Sequence, residues 1–134
     1  MELNKRRLQH SDYDIIVEWW KSWPDWQPLA RNLLPENGTG GIMIERNGIP
    51  IVAGFLYSTN SKIAWMEWIV SNPNERNKSE AIELLISSLE DWGKAGGFEI
   101  ILSIGRSKSL INIHKKLEYT VDNNPSYEII KKIG

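Results

Sequence analysis

The sequence predicts one α+β domain of mixed α/β character, built on a central mixed sheet of about six to seven strands. Two observations carry this. Strand signals before residue 70 follow one another as an antiparallel meander, whereas residues 63 to 104 pass strand, helix, strand over a stretch long enough for a right-handed crossover between parallel strands. The chain, at 134 residues, is one domain's worth, and with 41% hydrophobic and 25% charged residues it has the composition of a globular protein with one core.

Taken in order, ELNKRRLQ (2–9) has the polar character of an edge strand. Ser11 or Asp12 can cap a helix through DIIVEWWKSW (14–23), which stops at Pro24, and a short helix or turn is compatible with Trp26 to Leu34. GGIMIE (40–45) and IPIVAGFLY (49–57) flank Asn47-Gly48, a pair that accepts the positive φ angles of a tight hairpin turn. KIAWMEWIV (62–70) continues the meander. A helix over about 77–92 follows, with Ala81, Leu85, Leu89 and Trp92 on one stripe, closed by Gly93, Gly96 and Gly97. FEIILSI (98–104) reads as a buried strand and SLINIHKKL (109–117) as a helix. Tyr119 to Val121 and YEIIKKI (127–133) read as two closing strands.

Composition argues against several functions, a nucleic-acid-binding module among them. Sixteen basic residues face seventeen acidic ones, so no global field draws the protein to nucleic acid or an anionic membrane. The absence of cysteine removes disulfides, thiolate metal sites and cysteine nucleophiles, and fits a cytoplasmic protein. No apolar run reaches the roughly 18 residues of a membrane span, and the N-terminal residues lack the apolar core of a secretion signal. No metal is expected.

The stretch SNPNERNKSEAIELL (71–85) starts the crossover helix at the carboxyl end of a strand. Free N–H groups at such a helix start form an anion site. Asn77 and Glu80 also have the spacing of a capping box, which would satisfy those N–H groups without a ligand.

Arg76-Asn77-Lys78-Ser79-Glu80-Ala81 resembles the coenzyme A signature Arg/Gln-x-x-Gly-x-Gly/Ala of the GNAT superfamily of acyl-coenzyme A N-acyltransferases, and His114-Lys115-Lys116-Leu117-Glu118-Tyr119 resembles its closing Tyr-x-Lys-Leu-Gly-Phe. The spacing of the two blocks and the order of elements over nearly the whole chain are similar to that superfamily. More loosely, WPDWQPLARNLLPENG and AWMEWIVSNP are similar to small phage-encoded members. The resemblance implies acetyl-coenzyme A as co-substrate, held by residues 76 to 81 at its pyrophosphate and by Ile69 and Val70 along its pantetheine arm. It implies direct attack of an amine, small molecule or protein, on the thioester, in a monomer or homodimer.

Departures from the pattern bear on activity. Ser79 stands where the central glycine lets backbone approach the pyrophosphate, although its hydroxyl can donate to a phosphate oxygen. Glu80 brings a like charge toward a negative ligand, opposing a helix-terminus attraction of only about 0.3–1 kcal/mol. His114 takes the place of the tyrosine that protonates the leaving thiolate, and Ser107 that of an asparagine seven residues before it. Glu67, on the last meander strand, is the candidate base, acting directly or through water. A base is worth seeking because deprotonating an alkyl amine of pKa about 10.4 at pH 7 costs about 4.6 kcal/mol.

Trp19, Trp20, Trp23 and Trp26 fall within eight residues. Ile15, Ile16, Trp19 and Trp23 have the spacing of a core stripe, which leaves Trp20 and Trp26 as candidates for an acceptor wall or partner surface. Trp65 and Trp68 are expected on opposite sheet faces. A non-catalytic protein of the same fold, acting through protein–protein interaction, would equally account for Ser79, Glu80 and the missing tyrosine.

Overall fold

The structure, a computed structural model, describes residues 2–134. One sheet runs in the order β1 (Leu3–Arg7), β2 (Gly41–Arg46), β3 (Ile49–Ser58), β4 (Ile63–Ser71) and β5 (Ile100–Ser103). Its first four strands pair antiparallel, and β4 pairs parallel with β5. Helices α1 (Asp12–Ser22), α2 (Ser79–Ala95) and α3 (Lys108–Lys116) complete the domain. No helix among the described residues is long and apolar enough to cross a membrane.

Local chemistry explains most boundaries. Asn47 and Gly48 take φ 53° and 80°, the left-handed pair that turns β2 tightly into β3. Along α2 the expected stripe of Ala81, Leu85 and Leu89 is fully buried, with Trp92 packed at its margin. The helix ends where Gly97 enters the left-handed region at φ 87°.

The sheet has a core on each face. On the α2 side Ile44, Ile51, Val52, Ala64 and Met66 meet Leu85, Ile86 and Leu89, and α3 adds Leu110 and Ile113. On the α1 side Met43, Ala53, Phe55 and Val70 meet Ile16, Trp19 and Trp20.

A β-bulge in β4 re-aims the side chains nearest the crossover. Phe55 pairs with Glu67 but Ala53 pairs with Val70, so Trp68 and Ile69 together oppose Gly54. Trp68 absorbs the extra residue at φ 58°. Regular alternation would put residues 66, 68 and 70 on one face. Instead Met66 and Ile69 join the α2-side core, while Trp68 and Val70 join the α1 side. The expectation that Trp65 and Trp68 project oppositely assumed an unbroken pleat. Gly54 suits this close packing, since a Cβ would lie 3.1 Å from a Leu85 methyl and 3.2 Å from Ile69 Cγ1 and would make both side chains give by a few tenths of an ångström.

Two expectations need correction. No strand follows α3 among the described residues, so the sheet has five strands and not six or seven. Tyr119 to Asp122 run beside β5 across shallow cavities without joining its ladder. A local turn, with the Asn124 N–H donating to Asp122 Oδ1 at 3.0 Å, occupies the next residues. Tyr127, Ile129, Ile130 and Ile133 stay almost fully exposed. Strand propensity in YEIIKKI has no ladder to realise it.

The second correction concerns the phase of α1. Its buried stripe is Ile16, Trp19 and Trp20, and Trp20 is fully buried whereas Ile15 and Trp23 are each 36% exposed. The helix stops at Ser22, and Trp23 is extended at φ −95°, ψ 136°, so helical spacing no longer governs where Trp23 points.

An ion-pair network ties β1 to α1. The Asp12 carboxylate, 3% exposed, accepts from Arg6 Nη1 at 2.8 Å and Nη2 at 2.9 Å and from the Gln9 N–H at 2.7 Å, while Arg6 Nε also donates to Glu45 at 3.1 Å. Burial alone would raise the Asp12 carboxyl, but the Arg6 and Gln9 hydrogen bonds outweigh it and hold its pKa below the ordinary 3.8. A depressed carboxyl contributes stability above its unfolded pKa and loses it as pH falls through the folded value. Asp12→Asn is therefore expected to lower stability at pH 7 by about 2–3 kcal/mol, somewhat less than breaking a fully buried pair. Denaturant titrations of both proteins should show that difference shrinking as pH falls below 3.8.

Candidate functional site

β4 and β5 pair only from Ile63–Ile100 to Met66–Ser103, and β4 continues to Ser71 without a β5 partner. The strands part there. A cleft of about 380 Å³ opens between Ile69, Val70 and Ser71 of β4, Lys78 and Ile82 at the start of α2, and Ile104 to Leu110 leading into α3, with Trp23 and Trp26 as a further wall. Of the expected site residues, Ile69, Val70, Lys78, Ser107 and Trp26 line this cleft.

The loop into α2 has the form expected of an anion seat. Asn77 is left-handed at φ 55° and Lys78 follows in the helical region at φ −90°, ψ −2°. Such successive residues turn backbone N–H groups toward one side. Arg46, at the end of β2, donates through Nη1 to the Arg76 carbonyl at 3.2 Å and through Nη2 to the Asn77 carbonyl at 2.8 Å. Because C=O and N–H point oppositely across a planar peptide, this grip turns the N–H groups of Asn77 and Lys78 away from Arg46. No side chain caps α2, so the capping box expected of Asn77 and Glu80 does not form. Ser79 and Glu80 are exposed, and Ala81 is fully buried in the core between α2 and the sheet.

Lys78 enters the cleft. Its Nζ donates to Ser71 Oγ and to the Asn72 carbonyl, each at 3.0 Å, and lies 5.3 Å from the Trp23 ring centroid. Burial pulls its ammonium below the ordinary 10.5, with Glu75 opposing.

Glu67 does not itself line the cleft but is held by a residue that does: its Oε1 accepts from Arg106 Nη1 at 2.7 Å and from the Trp68 N–H at 3.3 Å. Arg106 lies over the Trp68 ring at 4.8 Å and the Trp26 ring at 5.8 Å. Trp68 is fixed in turn, its indole N–H donating to Tyr57 Oη at 2.9 Å while that hydroxyl donates to the Leu33 carbonyl at 3.0 Å. Burial raises the Tyr57 phenol above its ordinary value, which keeps it a donor.

His114 lies elsewhere. It is buried on the inner face of α3, beside a separate cavity shared with Ser103 and Tyr119. Its Nδ1 is 2.8 Å from the Leu110 carbonyl, which can only accept, so Nδ1 carries a proton and Nε2 in the neutral ring accepts from Ser103 Oγ at 2.8 Å. Ser107, in the place of the superfamily's asparagine, caps α3 by accepting from the Leu110 N–H at 3.2 Å.

Trp20, expected as an acceptor wall, is buried behind the cleft, stacked on Trp26 with ring centroids 6.5 Å apart. Trp23 takes the wall position instead, its indole N–H donating to the Ser71 carbonyl at 3.1 Å. Arg46 and Arg106 were missed in the sequence, where each is one arginine among several. Their roles arise from contacts across 30 and 39 residues of chain.

No protein-family model matches the sequence, and no curated protein matches it. Solved structures do. An acetyltransferase of Trypanosoma brucei superposes with a TM-score of 0.68 at 15% identity, over 96% of this chain and 100% of that one. The aminoglycoside N-acetyltransferase AAC(6')-Iy in complex with CoA gives 0.65 at 16% identity, over 98% and 96%. A transcriptional regulator of Bacillus halodurans C-125 gives 0.69 at 9% identity, over 96% and 100%. The chain thus has the fold of these proteins, and at such identities the likeness is one of fold.

The positions of Trp20 and Trp23 predict opposite behaviour from what the spacing along α1 suggests. Trp20→Ala should lose about 3–5 kcal/mol of unfolding free energy, the usual cost of truncating a buried aromatic. Trp23→Ala should lose about 1 kcal/mol, mainly its bond to Ser71. Urea denaturation followed by circular dichroism separates the two, and equal losses would put Trp23 back in the core.

Proposed function

We propose that the protein is an acetyl-coenzyme A-dependent N-acetyltransferase whose co-substrate lies in the cleft between β4 and β5. The observation that carries this reading is the cleft itself, open along the stretch of β4 that has no β5 partner and ending at an uncapped helix start, just before which Arg46 turns the Asn77 and Lys78 N–H groups away from itself. A long ligand with an anion at one end and amide groups along its arm suits that shape. The backbone of residues 69 to 71 offers pairing to the pantetheine amides, and residues 76 to 81 offer donors to the pyrophosphate. Arg76 and Lys78 offset the charge of Glu80.

The amine nitrogen attacks the thioester carbonyl, the C–N bond forms as the C–S bond breaks, and the thiolate departs with a proton. Positioning in a ternary complex supplies much of the acceleration. Glu67 stands where the strands begin to part and takes the amine proton directly or through water, while Trp23 and Trp26 wall the acceptor side. His114 lies outside the cleft, so to serve as the acid it must carry a proton on Nε2 as imidazolium, pass that proton to Ser103 Oγ, and have the Ser103 hydroxyl release its own proton to the departing thiolate.

A non-catalytic role on the same scaffold is the second reading, favoured by one observation: both His114 nitrogens are engaged in packing α3, and Glu67 is held by Arg106. Calorimetric titration with acetyl-coenzyme A tests the primary reading. Arg76→Glu and Lys78→Glu should each weaken binding at least tenfold, about 1.4 kcal/mol. Absence of heat and thermal shift with wild type at millimolar ligand would end the acyl-transfer proposal. Where wild type binds and turns over, His114→Phe should lower turnover with affinity nearly unchanged, and His114→Tyr should retain more activity. Equal activity in all three returns His114 to a structural role.

A further inference from the structure

Arg106 sits on the connection between β5 and α3 and is gripped by two carboxylates of different standing. Nη1 donates to Glu67 at 2.7 Å and Nη2 to Glu128 at 2.8 Å. Glu67 is on the sheet, its side chain 12% exposed, and Glu128 is 42% exposed on a segment without secondary structure. The residues flanking Glu128 bury almost nothing, with Tyr127 90% exposed and Ile129 94% exposed. An exposed ion pair on such a segment is a weak tether. The guanidinium, in contrast, also lies over the Trp68 and Trp26 rings, 4.8 Å and 5.8 Å from their centroids.

We infer that Arg106 is a carboxylate-binding subsite beside the cleft, with Glu128 as an internal stand-in that a ligand's carboxylate displaces. The planar guanidinium fork suits a carboxylate, and exchanging Glu128 for it leaves the Arg106–Glu67 pair and both indole contacts intact. A cationic ligand would have to expel Arg106 from between Glu67 and two indoles, which breaks every one of those contacts. The subsite stands on these ion pairs alone. That the carboxylate belongs to the acceptor, making the substrate class an amine that also carries a carboxylate, rests on the acyl-transfer reading.

Glutarate, a dicarboxylate without an amine, is the probe for the subsite. Trp26 and Trp68 flank Arg106, so their fluorescence reports its binding. Glu128→Gln should bind glutarate at least fivefold more tightly than wild type, and adding Arg106→Gln to that variant should abolish the gain. If Arg106→Gln fails to fold, Arg106→Lys keeps the charge, lacks the fork, and should lose most of the gain. No tightening in Glu128→Gln, or preferential binding of 1,5-diaminopentane, overturns the subsite. In acetylation assays 4-aminobutyrate should exceed butylamine at least tenfold in kcat/KM, and equal rates overturn the assignment to the acceptor. Failure of acetyl-coenzyme A to bind while the glutarate pattern holds removes the acyl-transfer reading and leaves the subsite standing.

Discussion

The candidate site depends on one constraint, that β4 and β5 run parallel but share only four pairs before separating. Parallel neighbours need a crossover, and the crossover helix must begin beyond the carboxyl end of the first strand. α2 therefore starts beyond the end of β4 that has no β5 partner, and strand backbone free on that side and the helix's first N–H groups come to lie near one opening. The bulge at Trp68 is the second consequence. Without the extra residue, Glu67 and Trp68 would project to opposite faces, and Trp68 could not stack on Arg106 while Ile69 packs toward α2. Gly54, opposite the bulge, leaves Ile69 and Leu85 room that a Cβ would crowd.

Legibility in the sequence follows how local each interaction is. Asn47-Gly48, the apolar stripe of α2 and the glycines after it are fixed by contacts within a few residues, and they lie where the pattern indicates. The crossover was legible because strand, helix and strand of those lengths admit few arrangements. YEIIKKI was misleading because alternation reports a capacity for pairing and cannot supply a ladder. α1 failed differently: the expected stripe held Ile16 and Trp19 but took in Ile15, which is partly exposed, and left out Trp20, which is fully buried, and the chain leaves the helix before Trp23, so helical spacing does not place that residue.

For the site the same distinction holds. The hexapeptide from Arg76 to Ala81 was visible because the donors proposed for it are consecutive backbone groups. The device that aims them, Arg46, comes from a different hairpin, and no short-range pattern links it to that loop. A β-bulge leaves no reliable mark on periodicity either, so the placement of Glu67, Trp68 and Arg106 around one another was not readable, although Glu67 was singled out.

Electrostatics at the helix start shows why side-chain identity alone misjudges this site. Judged by charge, Glu80 beside a pyrophosphate is unfavourable and Lys78 favourable. In the fold Glu80 is exposed, where water screens it strongly, whereas Lys78 is drawn into the cleft and its ammonium is partly desolvated. A charge in that position acts through a lower effective dielectric than one in water, so Lys78 outweighs Glu80 for an anion in the cleft. The same desolvation works against Lys78 when no anion is present, which is why its Nζ is held by Ser71 Oγ and the Asn72 carbonyl. An anion in the cleft would restore the charge partner that burial removes from Lys78, whichever residue occupies position 79.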